Sequence, residues 1–204
     1  LGAWTLYGLG TENKNLPGFI VLSPQSGFGG AQNYGSAFLP AIYQATPIRR
    51  SFRGGSGQVN NIANRRISRE RQRIQLDLVQ GLNAERLKQD QVNPAVEGVI
   101  ESFELAFRMQ SVAPQLMDVN KEPAAVRTAY GIGNRATDSF GRQCLLARRM
   151  AEAGVRFIEL NYGNWDQHRN LLPGLERNCQ ATDQPIAALL AEDVRFLPPT
   201  YWAT

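Results

Sequence analysis

The sequence contains little histidine and cysteine, and it lacks any long hydrophobic run. His168 is the only histidine among 204 residues, and Cys144 and Cys179 are the only cysteines. Neither cysteine has a partner at metal-ligand spacing, which excludes a zinc cluster built on cysteine and favours two buried free thiols over a disulfide. No apolar run approaches the roughly 20 residues of a membrane-spanning helix. The sequence therefore predicts no transmembrane segment.

Positive charge is concentrated in one part of a chain whose formal net charge is only +4. Arginine clusters of this kind can bind the phosphate backbone of nucleic acids. Only Phe52 lies among these arginines, so the aromatic side chains that stack on the bases of a single strand are missing. A solvated or intramolecularly paired face is therefore favoured over a nucleic-acid site. The arginines are Arg49, Arg50, Arg53, Arg65, Arg66, Arg69, Arg71 and Arg73.

The pattern of apolar residues predicts a helix-rich α/β protein. A short helix around Trp4 precedes a strand at residues 19–22, and the glycines of residues 26–30 predict a loop without the lysine of a phosphate-binding P-loop. Helices are expected at residues 68–87, 94–110, 123–131 and from 137 to about 153, and a further helix, kinked or divided at Pro185, is expected near the end. A second strand is expected at residues 155–162. Two strands cannot form a stable sheet alone, so the remaining strands are expected from sequence outside this chain.

Two of these helices have clear apolar faces. In the helix that Ser68 would cap, the apolar stripe consists of Ile74, Leu78, Val79 and Leu82. In the helix that begins at Thr137 or Asp138, the residues predicted to face inward are Phe140, Cys144, Leu145, Ala147 and Met150, with Gly154 as the C-terminal cap.

The candidate site follows the second strand. Asp166 and His168 lie two residues apart in the segment GNWDQHRN at residues 163–170. In open α/β sheets, ligands and catalytic groups gather beyond the carboxyl ends of the strands. A carboxylate and an imidazole placed there are a candidate metal-binding or acid–base pair, with Asn164 and Asn170 as candidate groups that orient the ligands. The alternative is structural: His168 hydrogen-bonds the following helix, and Asp166 accepts backbone N–H groups in a turn.

Four blocks of the sequence resemble one family. They are LGAWTLYGLG at residues 1–10, YGSAFLP at 34–40, ELAFRMQ at 104–110, and FGRQCLLARR at 140–149, which leads into GVRF at 154–157 and WDQH at 165–168. Together they resemble the domain-of-unknown-function family 1501, a bacterial group placed with the alkaline phosphatase and sulfatase superfamily. The resemblance implies a partial alkaline phosphatase-like α/β fold, with a central, mostly parallel sheet flanked by helices.

The resemblance also implies that residues 1–194 are an interior part of one such domain. The first metal-binding carboxylate and the nucleophile are expected upstream of Leu1, and further strands are expected downstream. Residues 195–204 depart from the family pattern and are typical of a truncated or frame-shifted end. Many members of the family are exported, frequently by a twin-arginine signal, so a periplasmic or extracellular location is expected.

In the superfamily, Asp and His side chains hold divalent metals that activate a Ser or Thr nucleophile. The resemblance therefore implies that Asp166 and His168 form half of a zinc or manganese site, although the superfamily more often spaces this pair by four residues. The expected substrate is an anionic small-molecule or polysaccharide ester of phosphate or sulfate, and the fragment alone would be inactive. The alternative is a non-catalytic exported domain that keeps the fold for binding or assembly, because a fold does not establish chemistry.

Overall fold

In a computed structural model of the chain, the described residues are 1–23, 30–49, 66–90, 94–163 and 165–196. They contain three strands and six α-helices, joined by short 3-10 turns and loops. In chain order these are α1 (Gly2–Leu9), β1 (Phe19–Leu22), β2 (Thr46–Ile48), α2 (Arg69–Asp90), α3 (Pro94–Met117), α4 (Ala124–Ala129), α5 (Asp138–Glu152), β3 (Phe157–Leu160) and α6 (Leu171–Phe196).

The three strands form one parallel sheet in the order β2-β1-β3. Val21 at the centre of β1 is level with Pro47 on one side and with Glu159 on the other. The α/β class and the parallel sheet are thus confirmed. The expectation that strands beyond two would come from outside the chain is wrong for β2. The sequence Thr46-Pro47-Ile48 hides this strand because proline is rare in strands except at a sheet edge, where β2 lies.

Helices cover both faces of the sheet, and β1 supplies the core on each side. Side chains alternate along a strand, so Phe19 and Val21 point to one face and Ile20 and Leu22 to the other. The first pair packs with α1 and the segment before β2, and the second pair packs with α3, α5 and α6. All four side chains are buried, as expected for a parallel sheet covered on both faces.

Helix α5 is the main core helix, and its prediction is confirmed. The residues predicted to face inward are all buried, and Gly154 adopts φ +86° where the chain turns from α5 towards β3. Gly141 allows the main chain at Tyr130 to cross α5 closely, because a Cβ at this position would collide with the Tyr130 carbonyl oxygen. The apolar face of α5 therefore fixes the position of β3 and of the loop that follows it.

Helix α2 is oriented differently. Ser68 caps it as predicted, since its Oγ accepts a hydrogen bond from the Arg71 amide at 3.3 Å. The apolar stripe that includes Ile74 and Leu78 points outward and is exposed. An amphipathic helix ordinarily turns such a stripe towards the core. Here the opposite, mostly polar face of α2 packs against α3.

Two predictions for helix α6 can be compared with the structure. Of the two effects predicted at Pro185, division is not seen, since one helix runs from Leu171 to Phe196 with Pro185 inside it. Cys179 is exposed rather than buried, whereas Cys144 is buried and both thiols are free. In the described part of the chain, no helix combines the length and apolar character needed to cross a membrane.

Candidate functional site at the carboxyl edge of the sheet

The three strands end level with one another at the edge where the candidate site was predicted. The Ser23 amide donates a hydrogen bond to the Ile48 carbonyl at 2.9 Å, and the Asn161 amide donates one to the Leu22 carbonyl at 3.1 Å. Parallel pairing therefore continues to the last residues of β1, β2 and β3. The segment between β3 and α6 begins at this carboxyl edge, as the sequence predicts.

Asp166 and His168 lie next to each other in this segment. The Nε2 atom of His168 is 2.9 Å from the Oδ2 atom of Asp166, which is hydrogen-bonding distance. Both side chains are exposed, that of Asp166 to 73% and that of His168 to 84%. The two side chains thus approach each other directly in the loop after β3. Both the metal-binding role and the structural role stay predictions. Both polar atoms are accessible to a ligand from solvent.

The start of this loop is held by aromatic packing. The ring of Tyr162 meets that of Phe140 on α5 edge-to-face at 5.2 Å between centroids, and Trp165 meets Tyr162 at 6.2 Å. A Cβ on Gly174 would collide with the side-chain amide of Gln167, so the first turn of α6 lies directly against the loop. Aromatic pairs of this geometry fix orientation as well as bury area. The loop carrying Asp166 and His168 is therefore anchored on both sides.

Of the two asparagines predicted to orient the ligands, Asn170 lies among the described residues and Asn164 does not. Asn170 adopts a left-handed main-chain conformation with φ +52°, and its carbonyl accepts the first helical hydrogen bond of α6, from the Gly174 amide at 3.0 Å. Asparagine tolerates this conformation better than most residues. Its role towards Asp166 or His168 stays a prediction.

The donor set of the loop suits a divalent metal but supplies only two ligands. A carboxylate oxygen and an imidazole nitrogen are both usual ligands of zinc and manganese. Among the described residues, no three or more His, Cys, Asp or Glu side chains are grouped so that they could hold a metal ion. The loop by itself offers two donor groups, the Asp166 carboxylate and the His168 imidazole.

One polar residue at this edge was missed by the sequence reading. Ser23 directly follows β1 and has φ +52°, an uncommon conformation for a residue other than glycine. Such conformations concentrate at functional sites, where the surrounding structure holds them in place. The available signal was its position one residue after a fully apolar strand. Ser26, in the glycine-rich segment that follows, lies outside the described residues.

Comparison with known families gives one match. A family model described as "Protein of unknown function (DUF1501)" matches residues 1–192. The chain belongs to the DUF1501 family. Comparison with curated proteins gives no match, and neither does comparison with solved structures. Family membership thus includes the Asp166–His168 loop but assigns it no reaction.

The DUF1501 chain also has a charged cluster beside α5. Glu122 binds both Arg148, at 2.7 Å, and Arg149; Arg148 also reaches Glu192 at 3.3 Å, and the Tyr130 hydroxyl donates to Glu192 at 2.7 Å. Burial alone would raise the pKa of Glu122, but the two arginines outweigh it and hold that pKa below its usual value. Burial and the Glu192 carboxylate raise the pKa of the Tyr130 hydroxyl. These residues thus form a largely buried network that joins α5 to α6.

In the arginine-rich segment of this family member, two of the described arginines are engaged within the molecule. Arg73 donates two hydrogen bonds to Glu104, at 2.7 and 3.0 Å, and its guanidinium lies 5.0 Å from the ring centre of Phe107. Arg69 lies 5.1 Å from the same ring. The hydrogen bonds to Arg73 lower the pKa of Glu104, which keeps it ionised. Arg50, Arg53 and Arg65 lie outside the described residues.

Proposed function

We propose that the intact protein is a metal-dependent hydrolase of phosphate or sulfate esters, in the alkaline phosphatase and sulfatase superfamily, with Asp166 and His168 as ligands of zinc or manganese. The observation that carries the proposal is the 2.9 Å approach of His168 Nε2 to Asp166 Oδ2 on exposed side chains beyond the carboxyl edge of a parallel sheet. This edge is where α/β proteins place their ligands.

The separation of the two atoms supports a shared ion. Zinc binds imidazole nitrogen and carboxylate oxygen at about 2.0–2.2 Å in tetrahedral geometry, so two ligands of one ion lie roughly 3.3–3.5 Å apart. The 2.9 Å between Nε2 and Oδ2 would have to open by about half an ångström to reach that range. A hydrogen bond between the same atoms also keeps both side chains directed at one point before an ion arrives.

The proposal assigns roles to three residues of this chain and to the bound ion. Asp166 and His168 would hold the ion in their deprotonated forms, and Asn170 would keep the loop in the conformation from which α6 starts. A bound divalent ion would neutralise negative charge on the phosphoryl or sulfuryl group of the ester. On the superfamily resemblance, the Ser or Thr nucleophile and the remaining ligands would come from residues other than those of this chain. The substrate would be an anionic small-molecule or polysaccharide ester, met in the periplasm or outside the cell.

Metal binding by the loop can be tested on this chain by NMR. Because His168 is the only histidine, its imidazole signals are assigned without ambiguity. Manganese should broaden these signals at substoichiometric concentrations, and zinc should shift them. Asp166→Asn should weaken both effects about tenfold or more, because removing one ligand or its partner typically costs that much affinity. Asp183→Asn, an exposed carboxylate of α6, is the matched control and should change nothing.

Catalysis is tested on the intact parent protein. We expect stoichiometric zinc or manganese by elemental mass spectrometry, lost together with hydrolysis of chromogenic phosphate or sulfate esters in Asp166→Ala and His168→Ala. A parent protein that binds no metal after incubation with either ion contradicts the proposal. So does ester hydrolysis that both substitutions leave intact.

The second candidate function is a non-catalytic exported domain used for binding or assembly. It is supported by a different observation, the outward-facing apolar stripe of α2, which is unusual for a helix of a soluble fold. The metal measurement separates the two functions, since an assembly domain has no need for an ion at Asp166 and His168.

A further inference from the structure

The outward face of α2 is the largest feature of the described chain that the hydrolase proposal leaves unexplained. Ile74, Leu78 and Leu82 follow one another at four-residue spacing and are 67%, 66% and 65% exposed. One helical turn beyond each end of this row, Arg71 and Glu85 lie on the same face and are also exposed. The face is thus a row of three aliphatic side chains between a positive and a negative charge.

The opposite face of α2 is occupied, so the helix cannot turn its apolar row inward without losing several contacts. Glu104 of α3 accepts two hydrogen bonds from Arg73 and one from Gln80 at 2.6 Å. Gln110 donates to Gln72 at 2.9 Å. These contacts are charge-assisted or paired amides, and breaking them leaves polar groups unsatisfied. The apolar row is therefore held outward by the fold.

The sequence of this face is symmetric about Leu78. Four residues either side of it are Ile74 and Leu82, and seven residues either side are Arg71 and Glu85. At 100° per residue, all of these lie within about 40° of the direction in which Leu78 points. Eight residues either side, flanking the row, are Glu70 and Arg86, again of opposite charge.

We propose that α2 pairs with α2 of a second copy of this chain in an antiparallel arrangement, with the two-fold axis at Leu78. The two Leu78 side chains meet at the axis, and Ile74 of each copy packs on Leu82 of the other. Arg71 of each copy then lies opposite Glu85 of the other, which gives two ion pairs per dimer. An isologous interface needs such a self-complementary surface, and this face has one.

Charge decides the direction of pairing. A parallel pair would place Arg71 against Arg71 and Glu85 against Glu85, so both ends would repel. Gly81, beside the row, has open space around it and lets the two backbones approach closely. A single pair of helices buries less surface than a standard interface, so the association is expected to be weak.

The face would be the same whether or not Asp166 and His168 bind a metal, so the two proposals fail independently. The occupants that compete with a second copy are another part of a longer polypeptide and a different protein. In either case this chain would be monomeric by itself, which is the result that overturns the proposal.

A charge exchange tests the pairing in solution. Sedimentation equilibrium should show a monomer–dimer equilibrium for the 204-residue chain. Arg71→Glu or Glu85→Arg alone should raise the dissociation constant about tenfold or more, because each substitution opposes like charges at two places in the dimer. The double variant should restore affinity to near that of the wild type. Arg177→Glu, an exposed arginine of α6, is the control. A monomer at all concentrations, or a dimer that no charge exchange affects, overturns the proposal.

Disulfide trapping tests the axis. In a Cys179→Ser background, Leu78→Cys should form a disulfide-linked dimer under mild oxidation, since the two residues meet at the axis. Ile74→Cys should not, because in the antiparallel register two copies of residue 74 are about 12 Å apart along the helix, beyond the roughly 7 Å limit for Cα atoms in a disulfide. Ile74→Cys combined with Leu82→Cys should link again. Linkage through Ile74→Cys alone would show parallel pairing and overturn the proposed geometry. Circular dichroism of each variant checks that helix content is unchanged.

Discussion

Helices α5 and α2 are both amphipathic and rich in arginine, yet they present opposite faces to the rest of the molecule. α5 buries its apolar face against the sheet and directs Arg148 and Arg149 towards carboxylates at its margin. α2 packs through Arg73 and its neighbours and directs its aliphatic row to solvent. An amphipathic pattern therefore locates two faces but does not say which of them packs. That choice depends on which partners the rest of the chain brings alongside.

The largest expected difference between the two helices is the loss of stability when a leucine of each is replaced by alanine. Leu145 on α5 is fully buried, whereas Leu78 on α2 is exposed. Leu145→Ala should lower the free energy of unfolding by about 2–5 kcal/mol, because it leaves a cavity in the core. Leu78→Ala should change it by less than about 0.5 kcal/mol.

Chemical denaturation measures both leucine variants, at protein concentrations below those of self-association. Equal losses of stability at the two positions would show that α2 buries its apolar row within the monomer. The proposed contrast between the helices would then be wrong.

The next largest difference is expected when the glutamate bound by each helix is replaced by glutamine and the loss of stability is compared. Glu122→Gln should cost about 1–3 kcal/mol of unfolding free energy, because it leaves two largely buried arginines without their shared charge. Glu104→Gln removes the partner of the more exposed Arg73 and should cost about 1 kcal/mol or less.

Thermal or urea unfolding of these glutamate variants orders the two effects. The isosteric change to glutamine keeps volume constant, so packing is not a confounding factor. A larger loss for Glu104→Gln would mean that the α2–α3 contact, rather than the α5 cluster, is the main electrostatic support of the fold.

Acid should weaken the α5 cluster through Glu122. Its pKa is lower in the folded protein than in the unfolded chain, so the unfolded chain binds the proton at higher pH. The stability that this carboxylate contributes is present above about pH 4.3, the usual glutamate value. It is lost as pH falls through the lower, folded-state pKa.

Urea unfolding measured from pH 7 to pH 3 checks this dependence. The Glu122→Gln variant should show a shallower loss of stability on acidification than the wild type. Parallel curves for the two proteins would indicate that Glu122 titrates alike in the folded and unfolded states.

The smallest effect on stability is expected in the last comparison, because it measures how fast the two cysteines react and needs no change in the free energy of unfolding. Cys144 on the inner face of α5 is buried, and burial raises the pKa of its thiol to about 12. It should react with a disulfide reagent only when the protein unfolds, since the thiolate is the reactive form. Cys179 on α6 is exposed and should react at once.

A cysteine at position 78 extends this measurement to α2. In a Cys179→Ser background, Leu78→Cys should react as fast as Cys179 does in the wild type at low protein concentration. A slow reaction at both Cys144 and position 78 would indicate that α2 also buries its apolar face.

Local patterns predicted a good part of the fold. The apolar run at Phe19–Leu22, the inward face of α5 and the turn at Gly154 follow from short-range rules of periodicity and capping, and the structure confirms them. The outward orientation of α2 could not be predicted in this way. It depends on Arg73 meeting Glu104, 31 residues later in the chain. The network around Glu122 could not be predicted from local patterns either, because it joins α5 to Glu192 in a different helix, α6.

The position of the candidate site was also predictable, but the conformation of its loop was not. That Asp166 and His168 would stand beyond the carboxyl edge follows from their place after a strand, and the structure places them there. Their direct contact depends on the loop conformation that Trp165 and Asn170 help to define. No rule of spacing gives that conformation. The sequence shows that Ser23 directly follows an apolar strand, but its left-handed main-chain conformation becomes visible only in three dimensions.

The outer edges of β2 and β3 differ in the backbone N–H donors that they offer. An additional strand would therefore pair more readily with one edge than with the other. Since the Ile48 carbonyl faces β1, the neighbouring Pro47 faces the outer margin of β2, where its missing N–H leaves a gap among the donors. On β3, Phe157 and Asn161 donate towards β1, so Ile158 and Leu160 present their amides to the other margin. As far as the described residues show, an added strand would find amide donors at alternate residues beside β3 and would meet a missing donor at Pro47 beside β2. Extension of the sheet, by whatever polypeptide, should therefore proceed from the side that carries Asp166 and His168.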